Sequence, residues 1–118
     1  MHVVRIQPND IDTLSGWWRA RAGHGFPPGW LPETGFWVPG ILGAFLYRTD
    51  SKVAYIECVI SNPDSKKSER YQALAAVGKA IAEEAKEQGF HYLIGLTSLP
   101  SVAECGSKED GYIISELS

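Results

Sequence analysis

Glu57 stands in the middle of Val53–Ser61 (VAYIECVIS), a run otherwise rich in apolar and β-branched residues that reads as a central strand. Strand alternation puts it on one face with Tyr55 and Val59. A carboxylate held there can take a proton from a bound amine, which makes Glu57 the leading candidate for general-base work. The structural alternative is a glutamate paired with Arg5, Arg19 or Arg48. Cys58, its neighbour, has no histidine close by in sequence to activate it, so an inert thiol is the simpler reading. The phenols of Tyr47, Tyr55 and Tyr112 can donate a proton if they line a cleft; otherwise they are core rings with hydroxyls at the rim. Lys66, Lys67 and Arg70 form a basic cluster at the start of a long helical pattern, placed either to meet phosphates or to solvate a helix start.

Other chemistries have little support. His2, His24 and His91 are scattered, and neither Cys58 nor Cys105 belongs to a paired spacing, so no metal site is expected. Two isolated cysteines fit a reducing, cytoplasmic setting better than a disulfide scaffold. With 11 Lys+Arg against 14 Asp+Glu the net charge is −3, which gives no global attraction to nucleic acid. No apolar run approaches the roughly 20 residues of a membrane helix. A chain of 118 residues, 44% hydrophobic and 21% charged, leaves room for one globular domain spanning residues 1–118.

The elements that must hold these residues follow from periodicity and punctuation. Val3–Gln7 reads as a strand stopped by Pro8. Asn9 as N-cap and the Ile11, Leu14, Trp18 spacing predict a helix over 10–21, ended by Gly23. The proline-rich stretch 24–35 cannot form a regular element but carries Phe26, Trp30 and Leu31, so it should pack down onto the domain. Strands are expected at 36–38, 41–48 and 53–61, the last two forming a hairpin. A helix over 68–88 follows, with Tyr71, Leu74, Ala75, Gly78, Ile81, Ala82 and Ala85 as its apolar stripe. A strand over 91–97, a short helix around 101–107 and a last strand over 112–116 complete the order β-α-β-β-β-α-β-α-β. That order implies an α/β mixed sheet with helices on both faces.

Over nearly the whole chain this order resembles the GNAT superfamily of acyl-CoA-dependent N-acyltransferases. The resemblance rests on the leading strand and helix, the strand Ile41-Leu42-Gly43-Ala44-Phe45, the long hairpin, and the strand ending in Asn62-Pro63. It extends through the long helix to Gly111-Tyr112. Trp17-Trp18, Leu31-Pro32…Gly35 and Phe45-Leu46-Tyr47…Thr49-Asp50 are similar to small GNAT-like proteins often encoded by tailed phages. The fold implied is a GNAT-like sheet truncated after the sixth strand.

In that family the hairpin's second strand leads into a loop, R/Q-x-x-G-x-G/A, whose backbone N–H groups and helix N-terminus bind the pyrophosphate of coenzyme A. Here Pro63 and Leu74 hold the two ends of that spacing. Lys66 stands in the Arg/Gln position, and Glu69 and Tyr71 replace the two glycines. The resemblance therefore implies weak acetyl-CoA binding, through Val59, Ile60 and Ser61 at the strand end and Lys66, Lys67 and Arg70 in the loop. In the second family signature, N-x-x-A-x-x-x-Y-x-x-x-G-F, Ala103 fits. Pro100 replaces the Asn, Ser107 the proton-donating Tyr and Tyr112 the Phe. Glu57 and Tyr112 are carried as the catalytic candidates. Two functions stay open: an N-acetyltransferase with a degenerate cofactor loop, and a non-catalytic GNAT-fold protein gripping a protein partner through the Trp30/Trp37 region. A homodimer is expected in either case.

Overall fold

The computed structural model describes residues 1–96, 107–109 and 112–117. β1 is short, Val4–Arg5, and leads through a single 3-10 turn, Pro8–Asp10, into α1, Ile11–Ala22. The turn is held by the Gln7 N–H donating to Asp10 Oδ2 at 2.8 Å, so Asp10 rather than Asn9 organises the helix entry. Gly23, at φ 80°, ends α1 with its N–H on the Arg19 carbonyl. Then come β2, Gly35–Val38, β3, Leu42–Tyr47, and β4, Val53–Ser61, as an antiparallel meander. α2, Lys67–Glu87, crosses over to β5, Tyr92–Leu96, which pairs parallel to β4. β6, Ser107–Glu109, and β7, Tyr112–Glu116, close a seven-stranded mixed sheet in the order β1-β2-β3-β4-β5-β7-β6.

The last strand is thus the expected one. The additional strand, β6, precedes it and begins at Ser107, where the sequence suggested the end of a short helix; the rest of that expected helix lies outside the described residues. Among the described residues no helix is long and apolar enough to cross a membrane, and no group of three or more His, Cys, Asp or Glu is placed to hold a metal.

β3 explains the layering. Leu42, Ala44 and Leu46 face α2, while Gly43, Phe45 and Tyr47 face α1, so the strand is apolar on both sides. On α2 the buried stripe is Ala73, Leu74, Val77, Ile81 and Ala85. This differs from the sequence reading by about one residue of rotation: Ala73 and Val77 join the core and Ala75 leaves it. The small side chains at Ala75, Gly78 and Ala82 instead border a cavity of about 320 Å³ next to Leu93 and Leu117. Alanine and glycine carry little periodicity signal, which is why the stripe's edge was misplaced.

On the opposite face Leu14 of α1 is fully buried and comes down on Gly43, where an added Cβ would lie 3.3 Å from Leu14 Cδ2 and 3.0 Å from Trp37 Cβ. The glycine lets helix and sheet approach at that point.

Candidate functional site

β4 is irregular where the chemistry was expected. Between Gly43/Ile60 and Phe45/Glu57 its partner β3 advances two residues while β4 advances three, a β-bulge. Cys58 sits in it at φ 53°, a left-handed conformation that a non-glycine residue adopts at a cost. The bulge breaks the simple alternation. Tyr55 and Glu57 keep the α1 face, opposite Tyr47 and Phe45, and Ile60 returns to that face. Val59 does not share it and packs against the α2-side core instead. Among the described residues the pairing of β4 with β5 covers Val53–Ile56 and does not extend to Glu57–Ser61.

Glu57 is half-buried. The structural alternative for it is not realised: among the described residues none of Arg5, Arg19 and Arg48 forms an ion pair with Glu57, and Arg5 pairs with Glu84 and stacks on Phe36 on the far face. Beside Glu57, the Tyr47 Oη lies 3.0 Å from the Trp30 carbonyl and 3.1 Å from Cys58 Sγ. A carbonyl can only accept, so the single phenolic proton goes to Trp30 and the Cys58 S–H donates to Tyr47. Tyr47 therefore has no proton to spare for a substrate. Burial pushes its ionisation well above the usual phenol range, with the charge of Glu57 adding to the effect. Tyr112 opens β7 opposite Leu96, at the end of β5.

The loop after β4 is organised around Asn62, whose Nδ2 donates to the Gly40 carbonyl at 2.9 Å and whose Oδ1 accepts from Asp64 N–H at 2.9 Å. At the start of α2, Glu69 Oε1 accepts the Lys66 N–H at 3.1 Å, one half of a capping box. The basic cluster is dispersed. Lys66 is the exposed N-cap, Lys67 Nζ lies 5.8 Å over the Tyr71 ring, and Arg70 Nη1 donates to the Ser65 carbonyl. The strand-end residues separate too: Ile60 is buried toward α1, and Ser61 Oγ accepts from Arg21 Nη2 at 2.9 Å. Arg21 was missed by sequence reasoning. Being the last basic residue of α1, with no motif around it, it reads only as a helix-dipole partner.

Aromatic residues line the α1 side. Trp17 and Trp37 meet at 6.0 Å, and Trp18 stacks on Phe26 at 4.9 Å. Trp37 is 7% exposed, which removes it from any partner-binding surface, whereas Trp30 is 51% exposed.

The fold is shared with solved structures. N-acetylglutamate synthase from Neisseria gonorrhoeae, complexed with coenzyme A and L-arginine, superposes at a TM-score of 0.75. The identity is 15% over 98% of this chain and 33% of that one. The chain thus spans about a third of that enzyme's length. The chain has the GNAT fold. The ribosomal-protein-S18-alanine N-acetyltransferase from Escherichia coli matches at a TM-score of 0.62 and 12% identity, covering 99% of this chain and 94% of that one. A GNAT family acetyltransferase from Brucella melitensis in complex with acetyl-CoA matches at 0.64 and 12%, covering 99% and 88%. No family model and no curated protein matches the chain by sequence.

The residues that would hold coenzyme A fit it unevenly. The β4 segment past Ile56, unpaired with β5 among the described residues, would suit an extended pantetheine arm, with Val59–Ser61 as the residues to hold it. The phosphate end fits poorly, because the Glu69 carboxylate takes the Lys66 N–H at the helix start and Arg70 is turned to the chain's own carbonyl.

Proposed function

We propose that the chain is an acyl-CoA-dependent N-acyltransferase with a weakened grip on the phosphate end of its cofactor. The observation that carries this reading is Glu57: a half-buried carboxylate with no ion-pair partner among the described residues, set at the bulge of β4. Acyl-CoA, when bound, supplies a thioester whose acyl carbon an amine attacks, the C–N bond forming as the C–S bond breaks. Glu57 takes the proton the amine must lose. Tyr112, at the start of β7, is the proposed proton source for the departing thiolate. The β4 backbone and the α2 N-terminus position the cofactor, with Lys66 and Lys67 offsetting part of Glu69's repulsion.

Calorimetry with acetyl-CoA tests the cofactor half of this reading. Wild type should bind weakly, and Glu69→Gly should bind roughly tenfold to a hundredfold more tightly, the worth of one restored charge-assisted hydrogen bond. In an acylation assay Glu57→Gln should lower turnover while leaving acetyl-CoA affinity unchanged. Absence of heat at millimolar ligand for both wild type and Glu69→Gly would remove the cofactor and leave the second reading.

That second reading, a non-catalytic binding protein, is favoured by one observation. Trp30 is a large indole left 51% exposed on a pinned loop. Under it, Trp30→Ala weakens association with a second copy or another protein without lowering thermal stability, and analytical ultracentrifugation of both proteins reads the self-association.

A further inference from the structure

A short polar chain crosses the α1 side of the sheet beside Glu57. The Trp30 carbonyl, in the proline-rich loop, accepts the Tyr47 O–H at 3.0 Å, and the same phenol oxygen lies 3.1 Å from Cys58 Sγ. Its members stand on separate segments: the loop, β3 and β4. With its one proton committed to the carbonyl, Tyr47 does no acid chemistry, but it satisfies a carbonyl and a thiol at once. Burial holds its ionisation above the usual phenol range, so that proton stays in place at neutral pH.

Cys58 needs such a partner. At φ 53° it holds a backbone conformation that a residue with a Cβ keeps only where its surroundings impose it. The register leaves Cys58 and Val59 together opposite Ala44, without deciding which of them turns to which face. Cys58 packs on the α1 side, where Tyr47 meets its thiol, and Val59 packs on the α2-side core. Glu57 is the next residue back along β4, so the direction of its carboxylate depends on how the peptide joining it to Cys58 is set. At the loop end, Trp30 N–H bonds the Pro27 carbonyl at 3.1 Å, and the Thr34 carbonyl accepts the Leu46 N–H at 2.9 Å. The loop is therefore tied to β3 at Leu46 and again at Tyr47.

We propose that Tyr47 is a positioning residue: it holds Cys58 in its left-handed conformation, so fixes the backbone from which the Glu57 carboxylate projects, and locks the Trp30 turn to the same point. Loop and bulge then order and loosen together. The part that concerns Glu57 rests on the acyl-transfer reading; the coupling of loop to bulge does not.

Tyr47→Phe, which keeps the ring and removes only the hydroxyl, is the test, in a Cys105→Ser background that leaves Cys58 as the single thiol. N-ethylmaleimide should label Cys58, and the Trp30 amide should exchange its hydrogen, each about fivefold to tenfold faster than without the change, the worth of one hydrogen bond. The amides of Leu74, Val77 and Ile81 in α2 should keep their rates. Should those rise too, Cys58→Ala, which spares the phenol, takes its place and must still quicken the Trp30 amide. In an acylation assay Tyr47→Phe should lower kcat on the order of tenfold with the KM for acetyl-CoA within about twofold. Adding Cys58→Gly should regain most of that loss, because glycine takes a positive φ unaided. Labelling and exchange at unchanged rates, or a change in one without the other, overturn the coupling. A kcat that does not fall, or that Cys58→Gly does not restore, overturns the positioning of Glu57. Wild type without turnover removes the acyl-transfer reading and the Glu57 clause with it, while labelling and exchange still decide whether Tyr47 joins loop to bulge.

Discussion

On the α2 face of the sheet, Ala73, Leu74, Val77, Ile81 and Ala85 are 0–4% exposed and meet Leu42, Ala44, Leu46 and Ala54, an aliphatic contact of small, stiff side chains. On the α1 face only Leu14 of the helix's 12 residues is buried. Rings replace aliphatics there, two indole N–H groups (Trp18 and Trp37) are buried without a protein partner, and a cavity of about 600 Å³ remains. Both faces share one backbone, so the difference lies in the side chains and in the bulge that brings Cys58 and Ile60 onto the α1 face alongside Glu57. The contrast assigns stability mainly to the α2 side and leaves the looser packing on the α1 side. Unsatisfied donors, a left-handed Cys58 and an open cavity are local costs that a densely packed partner face can offset.

Three substitutions test the contrast. The largest effect belongs to Ile81→Asp, which places a carboxylate at a fully buried position of the α2 stripe. It should cost about 4 kcal/mol or more in urea denaturation. A melting temperature within a degree or two of wild type would show that this face is not the stabilising one.

An intermediate effect is expected from Gly35→Ala on the other face. The added Cβ would sit 2.6 Å from Phe45 Cδ1 and 3.0 Å from Ile6 Cδ1, so the Phe45 ring must shift. The cost should be about 1–3 kcal/mol. A loss below about 0.5 kcal/mol in urea denaturation would show that the Phe45 ring has room to give and that this face is loosely packed.

The smallest effect, confined to alkaline pH, concerns Tyr47. Its phenol ionises at higher pH in the folded chain than the ordinary value near 10, because burial and the nearby Glu57 charge favour the neutral form. Below pH 9 both states keep the proton and stability should not depend on this group. Above about pH 10 the unfolded state releases a proton that the folded state retains, so stability falls as pH rises. Tyr47→Phe should remove that alkaline loss, and one of the chain's 5 tyrosines should resist spectrophotometric titration until unfolding. An alkaline decline equally steep in Tyr47→Phe would assign it to other groups.

Much of the sheet was legible because its signals are local. Proline after β1, Gly23 after α1, the turn before Val53 and the apolar run of β3 each act over a few residues, and the observed elements from β1 to β5, with β7, fall within about two residues of the expected ones, whereas β6 had no counterpart. The candidate site was legible as a set of residues but not as a geometry. Alternation grouped Glu57 with Val59, and the bulge separated them. Nothing in VAYIECVIS marks the bulge, since the left-handed residue is a cysteine rather than a glycine. The basic cluster was equally plain in sequence, yet Arg70 spends one of its donors on Ser65 and Lys67 lies over Tyr71. Long flexible side chains choose partners by proximity in space, which spacing along the chain does not supply.

By itself, then, the sequence determined the element order through β5 and the mixed sheet with a helix on each face. These follow from hydrophobic periodicity and turn chemistry, which are properties of neighbours in the chain. Only the tertiary structure decided which tryptophan stays exposed, where the Tyr47 proton goes, and that Arg5 serves the α2 face. Each of those depends on contacts between segments far apart in sequence. A polar group's role is set by the partners that reach it once the sheet has formed.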